Sequence, residues 1–231
     1  GIIIGGIIYA MLSPIFGIKN INVNGNTKIA SDTIISLSGL SIDQNIFDFW
    51  TSDVINSIKT NAYINKVQVE RKFPDTINIY VTERESTFNL KIGNAYAYIN
   101  NQGYILEINS NKQNLPVIIG YKTESNQIQP GNRLNTEDLE RLSDVLKIME
   151  AASSADSKIR EMVSEIDITD SSNYILRLEQ EKKKVYLGDA SNLGTKMLWI
   201  NKFLEEEKKS EGVIFVNMDL NNENPYFREK V

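Results

Sequence analysis

The sequence predicts an α+β protein in two parts: a small β-α-α-β-β domain, then a larger, mostly antiparallel β domain with two packed helices. Three observations carry this. Apolar and polar residues alternate through Val67 and Val69, through Ile77, Ile79 and Val81, and through a series of short runs beyond residue 86, which is the period of half-buried strands. Apolar residues recur at helical spacing in four stretches, two short and early, two long and late. Turn-forming clusters such as Asn24-Gly25-Asn26 and Gln129-Pro130-Gly131 separate the runs.

Composition narrows the chemistry before any motif is considered. The 231 residues suit two domains, and 41% hydrophobic with 24% charged residues is ordinary for a chain that buries a core. The net charge of −5 argues against a nucleic-acid-binding domain, which usually presents a basic face. There is no cysteine and no histidine. Disulfides, thiol nucleophiles, Ser-His-Asp catalysis and zinc sites built on Cys or His are therefore excluded. There is no Gly-x-Gly-x-x-Gly, P-loop, Gly-x-Ser-x-Gly or EF-hand pattern. Acidic pairs such as Asp167/Asp170 and Asp138/Glu140 are of the kind any acidic protein carries. The sequence nominates no catalytic, cofactor-binding or metal-binding residue, and a non-enzymatic protein is expected.

In chain order, residues 1–18 hold no charge; the first is Lys19. A membrane-spanning helix needs about 20 apolar residues, so residues 1–17 are expected to be the C-terminal part of a transmembrane anchor. Ile18, Ile21 and Val23 form a first strand, stopped at Asn24-Gly25-Asn26. Ser31 or Asp32 can cap a helix carrying Ile34, Ile35 and Leu37, and Gly39 suits its exit. Ile46, Phe47, Phe49 and Trp50 form an aromatic loop expected to plug the small core. Thr51, Ser52 and Asp53 offer caps for a second helix with Val54, Ile55 and Ile58 at helical spacing. Two alternating strands follow, joined at Phe73-Pro74-Asp75. Glu83, Arg84 and Glu85 fall where the first domain meets the second, and suggest a salt-bridge cluster between the two.

The β-α-α-β-β order, Val23-Asn24-Gly25-Asn26, and Val69-Glu70-Arg71-Lys72-Phe73-Pro74-Asp75-Thr76-Ile77 followed by Val81-Thr82-Glu83-Arg84 resemble a POTRA domain, here residues 18–86. More narrowly they are similar to the POTRA domain of the FtsQ/DivIB family of bacterial division proteins. POTRA domains also serve protein-translocation and outer-membrane assembly systems, where they occur in tandem ahead of a β-barrel; no such repeat or barrel pattern is present.

Beyond residue 86 the pattern remains β-rich. Phe88, Leu90 and Ile92 alternate, and Tyr96 and Tyr98 lead through a Gly103 turn to Tyr104, Leu106 and Ile108. Leu115-Pro116-Val117-Ile118-Ile119-Gly120 resembles a Leu-Pro-x-Ile-x-Gly segment of the same family. Asn135 or Thr136 caps a helix whose Leu139, Leu142, Leu146 and Met149 share a face. A loop is expected at 153–156. Three strands follow around Ile166, Tyr174 and Val185, and the 179–184 run with its three lysines reads as a solvated hairpin tip. Ser191 or Asn192 starts a second long helix with Leu193, Met197, Ile200 and Leu204 on one side. The alternating run 213–220 is expected to be a strand with Ile214, Val216, Met218 and Leu220 toward the helices and Phe215, Asn217 and Asp219 on the other face. Tyr226, Phe227, Arg228, Glu229 and Lys230 would form a last strand.

Residues 87–231 thus resemble the β domain of the FtsQ/DivIB family. That resemblance implies a single-pass division protein with its bulk outside the cytoplasmic membrane at the septum. It implies no cofactor. It implies bitopic coiled-coil partners like FtsB/DivIC and FtsL, held at the last strands, and a role in recruiting or regulating septal peptidoglycan synthesis. An open edge strand offers unpaired N–H and C=O groups to an incoming strand. The candidate contact residues are Phe215, Asn217, Asp219, Tyr226, Phe227, Arg228, Glu229 and Lys230.

Overall fold

The computed structural model describes residues 2–154 and 158–231. It divides into two compact units, Gly1–Glu85 and Ser86–Val231.

The first unit opens with helix α1 (Ile2–Met11) and a 3-10 turn (Pro14–Phe16), whose entry is capped by the Ser13 hydroxyl accepting from the Ile15 amide. Strand β1 (Asn20–Asn24), helices α2 (Ser31–Ser38) and α3 (Thr51–Ile58) and strands β2 (Ile64–Lys72) and β3 (Thr76–Glu83) complete the β-α-α-β-β order. The sheet order is β1-β3-β2, with β1 parallel and β2 antiparallel to β3. Alternation explains the layering: Ile77, Ile79 and Val81 of β3 turn inward and bury against Ile34 of α2 and Val54 and Ile58 of α3. Ile18, expected within the first strand, precedes it but is fully buried in the same core. Gly25 is required where the chain leaves β1: its φ is +87°, and a Cβ there would lie 2.2 Å from the Val81 carbonyl oxygen. The helix caps differ from expectation. Ala30 and Trp50 occupy the N-cap positions, and neither supplies a side-chain bond. The aromatic loop plugs the core as expected with three of its four residues. Ile46 is buried and Phe47 and Phe49 pack on the core, but Trp50 is 77% exposed. Among the described residues no helix is long and apolar enough to cross a membrane.

The second unit is one nine-stranded sheet with helices packed on it. Its elements are β4 (Phe88–Ile92), β5 (Ala95–Ile99), β6 (Ile105–Asn109), β7 (Val117–Ile119), α4 (Thr136–Ala152), α5 (Ile159–Met162), β8 (Glu165–Asp167), β9 (Tyr174–Leu178), β10 (Lys183–Gly188), α6 (Leu193–Glu206), β11 (Gly212–Phe215) and β12 (Tyr226–Glu229). The strand order is β12-β11-β10-β9-β8-β7-β4-β5-β6. Most neighbours run antiparallel, but β4–β7, β7–β8 and β10–β11 are parallel, so the sheet is mixed. The expected loop at 153–156 falls partly outside the described residues.

Helix α4 enters as its sequence dictates. The Asn135 side chain accepts from the Asp138 amide at 2.8 Å, the N-cap bond that satisfies one of the orphan donors of the first turn. Its inward face is broader than the leucine stripe suggests, because Val145, Ile148 and Ala152 are buried beside Leu142 and Met149. Two charged residues lie on that face. Asp138 accepts from the Lys122 amide and from the amide and hydroxyl of Thr123, at 2.5–3.0 Å. Arg141 donates to the carbonyls of Ile168 and Thr169 and to Glu137. Buried charges persist only when their hydrogen-bonding capacity is met, and these bonds tie the helix start to the loops after β7 and β8.

Two further expectations are corrected here. The strand expected over 213–220 ends at Phe215. Burial still alternates to Val216, but Asn217 is exposed and donates to Asn173, and Asp219 closes a local turn with Asn221 and Asn222. The 179–184 tip is not wholly solvated. Lys183 is buried, and its ammonium donates to the carbonyls of Glu181 and Ser210.

Candidate protein-interaction edge

Strand β12 ends the nine-stranded sheet, and its position follows from β11. The register pairs Gly212 with Glu229, Val213 with Arg228, Ile214 with Phe227 and Phe215 with Tyr226. The Lys230 amide donates to the Glu211 carbonyl at 2.8 Å, while the Gly212 amide turns the other way, to the carbonyl of Lys182 just ahead of β10. In an antiparallel pair, bonded and non-bonded positions alternate. Tyr226 and Arg228 therefore bond to β11 through their backbones, and Phe227 and Glu229 aim theirs at the open edge.

Side chains alternate the opposite way. Phe227 reaches toward the core, where it is partly buried, and its ring lies over Gly212; a Cβ on Gly212 would come within 2.5 Å of that ring. Tyr226 and Arg228 stand on the face away from the helices. There Tyr186, Phe215 and Tyr226, one each from β10, β11 and β12, form a stacked ladder with centroids 5.1 and 4.7 Å apart and ring planes within 9° and 17° of parallel. Each such pair contributes about 0.5–1.5 kcal/mol beyond burial. The Arg228 guanidinium carbon lies 5.1 Å from the Phe215 ring and 5.9 Å from that of Tyr226. The Lys184 ammonium lies 5.0 Å from Tyr186. Cations over ring faces at these distances are attracted by the ring quadrupole.

A groove beside the ladder crosses the ends of β9 to β12. It is lined by Arg177, Lys182, Lys184, Arg228 and Lys230 against Glu179, Glu211 and Glu229, giving a basic surplus on an acidic chain. The hydrogen bond from Lys230, 2.7 Å from Glu211, holds the Glu211 carboxyl below its usual range. Among the described residues no cluster of three or more acidic side chains could hold a metal.

The candidate residues named from sequence divide accordingly. Phe215, Tyr226 and Arg228 share the outer face; Phe227 and Glu229 hold the edge backbone; Lys230 closes the end of β12 on Glu211. Asn217 and Asp219 lie past the end of β11 and outside the ladder. The bonds of the Asp219 carboxyl to the Asn221 amide and the Asn222 side chain hold it below the usual carboxylate range. Tyr186 and Lys184 belong to the outer face but were not named. Their alternation with Val185 and Leu187 marks the face, but their neighbour is set by the parallel β10–β11 pairing, for which the sequence has no signal.

At the end of β3 the charged side chains of Glu83 and Arg84 are tied into the first unit. Glu83 accepts from the Thr27 hydroxyl and from the Lys28 and Ile29 amides at 2.7–2.9 Å. Partial burial would raise its carboxyl, but these bonds outweigh that and lower it. Arg84 donates to the Ala62 and Ile64 carbonyls. Both residues make these bonds within the first unit.

Comparison with known proteins agrees with this architecture. Residues 16–84 match a POTRA domain of FtsQ type, and residues 90–221 match the FtsQ/DivIB C-terminal-related family. The chain is 33% identical over 125 residues to the cell division protein DivIB of Clostridium botulinum strain Hall, covering 54% of this chain and 49% of that protein. It is 26% identical over 191 residues to DivIB of Staphylococcus aureus strain NCTC 8325, covering 81% of this chain and 39% of that protein. It is 21% identical over 200 residues to the cell division protein FtsQ of Corynebacterium glutamicum, covering 87% and 84%. The match spans about half the length of the clostridial relative and less of the staphylococcal one.

Proposed function

Because the chain belongs to the FtsQ/DivIB family of cell-division proteins, we propose that it is a divisome scaffold that holds a bitopic coiled-coil pair of the FtsB/DivIC and FtsL kind. Members of this family are not enzymes, so the work lies in binding. In this reading residues 1–17 anchor the chain in the cytoplasmic membrane as part of a single span. The POTRA domain, 18–86, and the β domain, 87–231, stand outside it at the septum. There they help recruit or regulate septal peptidoglycan synthesis. The uncharged N-terminal run supports the anchor.

The observation that carries the partner reading is the open edge of β12. It offers the backbone groups of Phe227 and Glu229 to an extended segment, beside an aromatic ladder and a basic groove that would favour a segment with acidic residues. Backbone pairing supplies affinity, and Tyr226, Phe215 and Arg228 supply register and selectivity. The test is capture of the extracytoplasmic segment of a DivIC-like partner by the chain with and without residues 226–231. Loss of capture on deletion is expected. Undiminished capture would remove the site while leaving the family membership intact.

A further inference from the structure

Helix α1 carries apolar side chains on nearly every side. Ile3, Ile4, Ile7, Ile8, Tyr9 and Met11 are all exposed, as is Leu12 just past the helix, and the remaining faces hold Gly5, Gly6 and Ala10. A helix that docks on one protein surface shows a stripe; one apolar all round belongs in a core or in lipid.

The foot of this helix is built into the first unit. The Asn45 side chain donates to the Met11 carbonyl at 2.8 Å, the Ile46 amide to the Phe16 carbonyl, and Phe16, Phe47 and Phe73 form a contiguous aromatic row with centroids 5.2 and 5.3 Å apart. Phe47 and Asp48 line both the cleft at the helix foot and the groove that holds Trp50 and Phe73. Trp50 is 77% exposed and Phe73 55%. Neither sits on a slack loop. Arg71 donates to the Ile46 and Phe49 carbonyls at 2.9 and 2.6 Å and stacks on the Phe49 ring, and Gln44 donates to the Asp48 carbonyl. Trp50 itself is the N-cap of α3. Two large aromatics are thus held out to solvent around the base of an all-apolar helix, Trp50 by the braced loop and Phe73, in the β2–β3 turn, by its stacking on Phe47.

We propose that Trp50 and Phe73 rest in the interfacial layer of the bilayer that receives α1, so that the POTRA unit touches the membrane at a second point and is held at a fixed height and tilt. Tryptophan favours the headgroup level of a bilayer and phenylalanine the headgroup–acyl boundary just beneath it, and two anchors fix orientation where one helix alone leaves rotation free. The groove also carries the carboxylates of Asp48 and Asp53, while the guanidinium of Arg71 is committed to loop carbonyls. The surface that fits is therefore a zwitterionic phosphatidylcholine-like one. This inference rests on the membrane-anchor reading of residues 1–17.

The experiment reconstitutes the full chain into phosphatidylcholine vesicles and measures flotation. It then measures Trp50 fluorescence in vesicles whose lipids are brominated at shallow acyl positions. A Trp199→Phe background isolates Trp50, and the difference between wild type and Trp50→Phe gives the same signal should that variant fold poorly. Flotation with quenching of Trp50 by brominated lipid and reduced access to acrylamide supports the proposal. Flotation with Trp50 unquenched and open to acrylamide overturns it while leaving the anchor standing. Protection from acrylamide without lipid quenching means that a protein surface covers Trp50, and also overturns it. A chain that does not float overturns both readings.

Discussion

Gly212→Ala is the sharpest single perturbation of the edge. Gly212 lies opposite Glu229 in the β11–β12 pair. A Cβ there would sit 2.3 Å from the Arg228 carbonyl oxygen and 2.5 and 2.7 Å from ring carbons Cζ and Cε2 of Phe227. All three distances are below real carbon contacts, and one involves backbone that cannot rotate aside. The chain has two ways to relieve this. It can shift β12 and the Phe227 ring in place, an overpacking cost of about 1–3 kcal/mol. Or it can release β12 and forfeit the burial of Phe227, which for a fully buried phenylalanine is worth about 1.5–3 kcal/mol and here somewhat less. The two routes cost nearly the same, so the expected loss is about 1–3 kcal/mol. At about 3 °C per kcal/mol for a unit of this size, the midpoint falls by about 3–9 °C. Thermal unfolding measures the loss, and amide exchange at Arg228 and Lys230 separates the routes, since only release exposes both. A Gly212→Ala protein with unchanged midpoint and unchanged exchange there would show that β12 does not pack over Gly212 as described.

Other expected outcomes follow from the buried polar network and the Glu83 carboxylate. Asp138→Ala removes the acceptor of the Lys122 and Thr123 amides and of the Thr123 hydroxyl, and should cost about 2–4 kcal/mol in denaturant unfolding; a cost under about 1 kcal/mol would mean water replaces it fully. The lowered Glu83 carboxyl gives the first unit stability that is fully present above the ordinary glutamate value of 4.5 and is lost as pH falls through the lower folded value. Glu83→Gln should therefore flatten the acid limb of that unit's stability, and an unchanged acid limb would assign the pH dependence elsewhere.

Much of the first unit was legible because its signals are local. Alternation in β2 and β3 and helical spacing in α2 and α3 each fix an element without reference to the rest of the chain. Trp50 was not legible, because an aromatic in a loop between helices has the same composition whether it plugs a core or points outward; the Arg71 bonds that brace the loop come from 22 and 25 residues away. The second unit shows the same limit on a larger scale. Asn135 as cap and the stripe of α4 were readable, but β7 pairs parallel with both β4 and β8, and such crossovers leave no mark in either strand. Lys183 sits in a lysine run that looks solvated, yet alternation with Val185 and Leu187 turns it inward, where two carbonyls receive it. The 213–220 run alternates cleanly while only Gly212–Phe215 is strand, because alternation reports burial and a strand also requires a hydrogen-bonding neighbour. For the same reason three outer-face residues, Phe215, Tyr226 and Arg228, were nameable from sequence, and Tyr186, two strands in, was not.

The central claim is that an incoming segment adds to the sheet at β12. Residue-resolved amide exchange by NMR tests it most directly, on the chain alone and saturated with the extracytoplasmic segment of a DivIC-like partner. Arg228 and Lys230, whose amides face β11, should be protected in both states, while Phe227 and Glu229 should exchange freely alone and become protected on binding. A saturated complex in which Phe227 and Glu229 exchange as fast as in the free chain would contradict strand addition at this edge.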